Sequence, residues 1–326
     1  MNSSILFKLL AIFAIIASTF AAPLTSEKEE IINYKKATNV YYYKNLSLDI
    51  YYNERNYNNQ TKLPVIIFIH GGFWINGDKS TYTKAGELFQ KEGYIAVIPN
   101  YTVFMNNQTV TIDDMVDEIH HAIEWIYYNI SFYGGDPQKI TLSGHSSGAH
   151  LAALTLIKTD FGIKNNGQIL YKLPMLQHAL FLNGPYTMDI DSAVQQLNAA
   201  GLEQLALGIT ALFSNAKNAF PLDILATVTK KIDTLSARQI TIFDTENDLL
   251  IPSAVAKGFM GLIQRTTERT QVNYVLLQDS ENAVKPDAYG GHNRITVDLY
   301  DSHTKTDIEA KTLLLEVIKK FNKSEL

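Results

Sequence analysis

Residues 139–158 read KITLSGHSSGAHLAALTLIK. The first five residues are a short apolar run of strand length, and the last ten carry the periodicity of a buried helix. Between them Gly144-His145-Ser146-Ser147-Gly148 fits G-x-S-x-G, placed directly after a strand and directly before a helix. That context is what a nucleophile elbow requires. A sharp strand-to-helix turn lifts the serine hydroxyl out of the sheet, and glycines flank it because neighbouring chains come too close for a Cβ. The helix starting at Ser147 aims its N-terminal amides and positive dipole end at charge forming on a substrate.

Working outward, residues 40–52 carry β-branched and aromatic residues around a polar centre, the pattern of a hairpin. Further apolar runs of strand length lie at 65–69, 94–98, 178–182, 239–243 and 272–277. Helical periods bounded by breakers lie between and beyond them, at 83–91, 112–130, 147–158, 254–264 and 307–321. Strands alternating with helices predict an α/β protein with a mostly parallel sheet covered on both faces. The stretch 187–232 is helix-prone without a strand, and is expected to form a helical cap over a pocket. One domain over 22–326 is expected.

His70-Gly71-Gly72-Phe73-Trp74 begins where the strand at 65–69 ends. Such a turn can direct backbone N–H groups at an oxyanion, each worth about 3 to 4 kcal/mol in mutagenesis. The expected donors are the amides of Gly72, Phe73 and Ser147, with Gly71 shaping the turn and His70 bracing the loop. A serine nucleophile needs a base, and the base a partner that fixes its tautomer. In an elbow-bearing sheet the order along the chain is Ser, acid, His. Asp244, Glu246 and Asp248 follow the strand at 239–243; Asp248 is preferred because it lies far enough along to turn back over the sheet. His292 follows Gly290-Gly291 in the loop after 272–277 and is preferred over His303, which lies nearer the last helix. His120 and His121 lack the i, i+4 spacing of a helical metal site; His150, one turn past Ser146, is read as packing or capping, and His145 as a candidate pocket-lining residue. No metal or cofactor site is expected.

The chain has 326 residues, no cysteine and a formal charge of −5. Disulfides, thiol catalysis and cysteine-ligated metals are thereby excluded, and an acidic chain without a basic tract is a poor nucleic-acid binder. Residues 1–21 combine Lys8, an apolar run at 9–17 and small residues before Ala21, as a secretory signal does. Its removal takes one Lys and no acid, moving the charge from −5 to −6. A secreted or endoplasmic-reticulum protein is therefore expected, with no integral span once the signal is cleaved. An uncleaved anchor is the alternative. Sequons at Asn45, Asn59, Asn100, Asn107, Asn129 and Asn322 agree with luminal exposure. The closing Lys-Ser-Glu-Leu resembles a retrieval signal with one substitution.

These motifs resemble the α/β-hydrolase esterases with an HGGxW oxyanion loop, among them isoprenylcysteine methylesterases and arylformamidases. The resemblance is carried by YGGDPQKITLSGHSSGAHLAALTL at 133–156, HGGFWINGDKSTY at 70–82, Asp114-Met115-Val116-Asp117, Asn183-Gly184-Pro185-Tyr186 and NDLLIP at 247–252. It implies an α/β-hydrolase fold and a cofactor-independent serine carboxylesterase acting on a small-molecule ester through Ser146, Asp248 and His292. An arylformamidase would use the same triad on a formamide; a silent binding protein would have lost part of it. Where that group commonly has Asp-Tyr-Arg, this chain has Asn100-Tyr101-Thr102, which removes a supporting ion pair near the oxyanion loop.

Overall fold

The computed structural model describes residues 33–54, 62–278, 291–297 and 305–323. The leader, Asn59, Gly290, His303 and the last three residues lie outside them. All the elements below belong to one unit, Tyr34–Leu326.

Eight strands form one sheet in the order β1-β2-β4-β3-β5-β6-β7-β8. β1 (Tyr34–Tyr43) and β2 (Leu46–Asn53) make the expected hairpin, and β2 runs antiparallel to β4 (Ile95–Pro99). From β4 onward every pairing is parallel, through β3 (Leu63–Ile69), β5 (Gly135–His145), β6 (Leu176–Leu182), β7 (Ala237–Thr245) and β8 (Gln271–Leu277). β3, β5, β6 and β7 read as near-continuous apolar runs because helices cover both faces.

On one face lie α1 (Thr83–Lys91) and α9 (Lys305–Lys323), packed with Ile66, Phe68, Ile98 and Leu180. On the other lie α2 (Ile112–Asn129), α3 (Ser147–Asp160) and α7 (Ser253–Thr266), around Ile67, Leu142, Phe181 and Ile242. Alternate strand residues thus feed opposite layers, as the pleat dictates. α2 opens with a reciprocal capping box between Thr111 and Asp114, which satisfies two amides that would otherwise lack partners. α3 is buried along nearly its whole length, including Lys158, whose ammonium is neutralised by Asp113 and also bonded to Asn165.

Residues 187–232 hold three helices, α4 (Ile190–Ala199), α5 (Glu203–Phe213) and α6 (Pro221–Thr227). A short α8 (Arg294–Val297) follows His292. No helix among the described residues is long and apolar enough to cross a membrane. Asn45 and Asn107 are exposed. The Asn100 and Asn129 side-chain amides instead donate to Asp78 and to the Trp125 carbonyl.

The register fixes where a site can form. Ile69 of β3 lies beside Gly144 of β5, His145 beside Leu182 of β6, and Leu182 beside Phe243 of β7. The loops bearing Gly71, Ser146, Asn183 and Asp248 therefore all leave the same, carboxyl-terminal edge of the sheet, where parallel α/β sheets hold their ligands.

Candidate active site

Ser146 sits between β5 and α3 at φ 53°, ψ −124°. A non-glycine residue in this region is strained and needs its surroundings to hold it. Its amide is pinned to the Leu182 carbonyl at 2.9 Å, and its carbonyl accepts from the His150 amide at 3.0 Å. The flanking glycines are demanded by contact. A Cβ on Gly144 would lie 2.6 Å from the Gly148 backbone, and one on Gly148 would lie 2.2 Å from the Ile69 carbonyl oxygen.

The Ser146 hydroxyl donates to His292 Nε2 at 2.9 Å, and His292 Nδ1 donates to Asp248 Oδ2 at 2.7 Å. A carboxylate can only accept, so this second bond places the imidazole proton on Nδ1 and leaves Nε2 as the acceptor facing the serine. Asp248 Oδ1 accepts from the Leu250 and Ile251 amides, both at 2.9 Å. The acid is thus oriented by its own loop. His292 is itself fixed through its carbonyl, which accepts from Asn183 Nδ2 and from His145 Nε2, each at 2.9 Å. Burial, with the neighbouring His292 adding to it, pushes His145 down to about 3. It stays neutral as a strut.

Asp244, the competing acid, is the penultimate residue of β7 and is buried, with the Tyr274 hydroxyl donating to it at 3.1 Å. Burial, reinforced by the charge of Asp248 against that hydrogen bond, raises Asp244 to about 7. The folded protein therefore binds a proton that the unfolded chain has released, and stability falls as pH rises from 3.8 toward about 7. Asp244→Asn should flatten that slope and stabilise the protein at neutral pH, as read from urea unfolding across the same range. An unchanged slope would place the raised titration elsewhere.

The loop after β3 has positive φ at three successive residues, Gly72 at 130°, Phe73 at 57° and Trp74 at 63°, of which the two non-glycine residues are strained. Left-handed backbone costs roughly 1–2 kcal/mol per non-glycine residue. Several bonds hold it. The Gly72 carbonyl accepts from the Ile75 and Asn76 amides, and the Trp74 carbonyl from the Phe104 amide. Gly72 has no substitute, since a Cβ there would meet the Asn76 carbonyl oxygen at 2.0 Å. Gly71 packs against the elbow, its Cβ position 3.3 Å from that of Ser146. His70 Nδ1 donates to the Gly71 carbonyl at 2.9 Å, and its ring stacks on Tyr101 at 4.4 Å. Burial lowers His70 to about 4, so it braces the loop uncharged.

Trp74 and His150 form a junction that spacing along the chain does not reveal. The indole N–H donates to His150 Nδ1 at 3.0 Å, and His150 Nε2 donates to the Ala219 carbonyl at 2.7 Å. Phe213 of α5 meets the Trp74 ring edge-on at 5.0 Å and stacks on Phe220. The strained loop, α3 and the three-helix excursion are thereby tied together. Trp74→Phe leaves a buried imidazole nitrogen without its donor and should cost about 1–3 kcal/mol, measured as a lowered urea midpoint with unchanged slope.

The two side chains that depart from that pattern, Asn100 and Thr102, are both hydrogen-bonded. The Asn100 side chain accepts from the Lys79 amide and donates to Asp78 Oδ2, both at 2.6 Å. Thr102 donates through its amide and hydroxyl to Glu118 at 2.7 and 2.8 Å. Glu118 is buried, and burial raises it against those two bonds. Asn100 and Thr102 thus each donate to a separate carboxylate, Asp78 and Glu118.

Two cavities meet over Ser146 and His292, of about 780 and 230 Å³. Residues of α4 and α5 line them, and Phe73, Ser146, Leu202 and His292 are common to both. Among the described residues no His/Asp/Glu cluster is placed to hold a metal ion.

Comparison with known proteins agrees with this architecture. The BD-FAE family model matches residues 48–179. A protein of Oryza sativa subsp. japonica named as a probable isoprenylcysteine alpha-carbonyl methylesterase is 28% identical over 212 residues, 64% of this chain and 49% of the relative. The kynurenine formamidase of Drosophila melanogaster is 24% identical over 151 residues, 46% of each chain. The chain spans about half the length of these relatives. Among solved structures, esterase B from Lactobacillus rhamnosis superposes with a TM-score of 0.63 at 14% identity, covering 98% of this chain and 97% of its own. Thermogutta terrifontis esterase gives 0.55 at 21% identity, over 88% and 94%. The chain has the α/β-hydrolase fold, and the sequence relatives named above are a probable methylesterase and a formamidase.

Proposed function

We propose that this protein is a serine carboxylic ester hydrolase in which Ser146 is the nucleophile, His292 the general base and Asp248 its orienting acid. The observation that carries this is the unbroken chain of hydrogen bonds from the Ser146 hydroxyl through His292 to Asp248, at 2.9 and 2.7 Å. Its polarity suits the chemistry: Nε2 is the lone-pair side, and it faces the hydroxyl whose proton must leave.

His292 removes that proton as Ser146 Oγ attacks the ester carbonyl, and the carbonyl oxygen takes the negative charge. In this reading the amides of Gly72, Phe73 and Ser147 hold the oxyanion, with Gly71 shaping the turn. Collapse breaks the bond to the alcohol, which leaves with the proton from His292. Water then repeats the attack on the acyl-enzyme, releasing the acid and regenerating Ser146. Helices α4 to α6 act as the cap over the reacting atoms. The cleavable leader and luminal or secreted location belong to the same proposal.

A formamide is the second substrate class, favoured by the similarity to the Drosophila formamidase; the same groups would attack it. The test is hydrolysis of p-nitrophenyl acetate, butyrate and octanoate beside N-formyl-aniline. Ester turnover well above formamide turnover supports the esterase. The reverse order would reassign the enzyme to the amidohydrolases, and no turnover by folded protein would leave a binding protein.

A further inference from the structure

The two cavities over Ser146 differ in chemistry as well as size. The smaller, about 230 Å³, is walled by Met188, Leu197, Ile209, Leu250 and Ile251. A dry apolar cavity of about 150 Å³ holds benzene. The smaller cavity therefore suits an uncharged group somewhat larger than a benzene ring. The larger, about 780 Å³, is lined by Phe73, Tyr82, Met105 and Gln204 together with Glu203. Among the described residues, the exposed Glu203 is the one carboxylate lining it, and neither Lys nor Arg lines either cavity.

Aromatic faces carry negative quadrupole and attract cations. A carboxylate lining the same cavity adds to that attraction, and the chain's net negative charge raises the local concentration of positive solutes further. An anionic group would meet Glu203 with no Lys or Arg of the described residues on the wall to offset it. Resting on the esterase reading above, we infer that the substrate is an ester with a compact apolar group on one side of the scissile bond and a larger, positively charged group on the other. An amine or quaternary ammonium is the class that fits, and Glu203 selects it.

An acid in the first turn of α5 also suits the helix dipole, so the experiment must separate selection from helix stability. Choline butyrate is compared with the uncharged isostere in which carbon replaces the quaternary nitrogen. A second pair puts the trimethylammonium group on the acyl side of a p-nitrophenyl ester, again beside its carbon isostere. A succinate half-ester supplies the anion. In at least one pair kcat/KM should favour the cation about fivefold, and the half-ester should be the poorest substrate. In Glu203→Gln the ratio of cation to isostere should fall toward one. A purely structural Glu203 would lower both rates and leave the ratio standing.

Ratios at or below one in both pairs, with Ser146 still labelled by a fluorophosphonate, would overturn the cationic class alone. A ratio unmoved by Glu203→Gln would overturn the role of Glu203. Absence of both labelling and turnover would remove the esterase reading together with this one.

Discussion

Ser146→Ala should lower kcat for p-nitrophenyl butyrate by a factor on the order of a million while leaving the urea midpoint nearly unchanged. The substitution deletes one oxygen and no packed atom. Alanine meets the same backbone strain at φ 53° that serine does, and the Leu182 and His150 contacts run through the backbone. His292→Ala should cost as much, and the double variant little more than either, because nucleophile and base act as one unit. Asp248→Asn should cost about ten thousandfold in kcat. An amide in place of the carboxylate offers His292 Nδ1 a donor or a neutral acceptor, and the tautomer facing Ser146 is no longer held. A Ser146→Ala enzyme that retains a tenth of wild-type activity would place the nucleophile elsewhere.

The second large effect concerns folding. Gly148→Ala should yield little soluble folded protein, a loss beyond about 4 kcal/mol. Its Cβ would stand 2.2 Å from the Ile69 carbonyl oxygen and 2.5 Å from that of His70. Both are backbone atoms at the end of β3 and the start of the loop after it, so relief requires moving β3 away from the elbow. Gly261→Ala is the matched control. It is an exposed glycine inside α7 with nothing within 4 Å of a Cβ, and it should stabilise by about 0.5–1 kcal/mol through helix propensity. Expression and urea unfolding of the two variants read both outcomes. Equal behaviour would mean that the close approach at the elbow does not constrain the fold.

Much of this architecture is legible in the sequence because it is written locally. The 139–158 stretch gives strand, elbow and helix in order, and the apolar runs flanking it give the parallel sheet. The choice among Asp244, Glu246 and Asp248 rests on loop length alone, and the structure brings Asp248 to His292 while burying Asp244 at the end of β7. The strand bounds differ modestly: β5 runs from Gly135, four residues before the predicted start, because Leu63 of β3 pairs with it there.

What the sequence does not display are the braces. Asn183 and His145 converge on the His292 carbonyl from 109 and 147 residues away, and His150 joins Trp74 to Ala219 across 76 and 69 residues. Such pairings depend on where three loops leave the sheet edge, which no periodicity encodes. Asn183 did offer a signal, a polar residue directly after an apolar strand. The lining of the two cavities depends in the same way on how α4 and α5 lie over the elbow.

The most direct measurement of the central claim is the intact mass of the folded protein after exposure to a fluorophosphonate, followed by mapping of the modified peptide. One adduct per chain is expected, on Ser146, abolished in Ser146→Ala and strongly slowed in His292→Ala. A folded protein that takes up no adduct, or takes it on another residue, would contradict it.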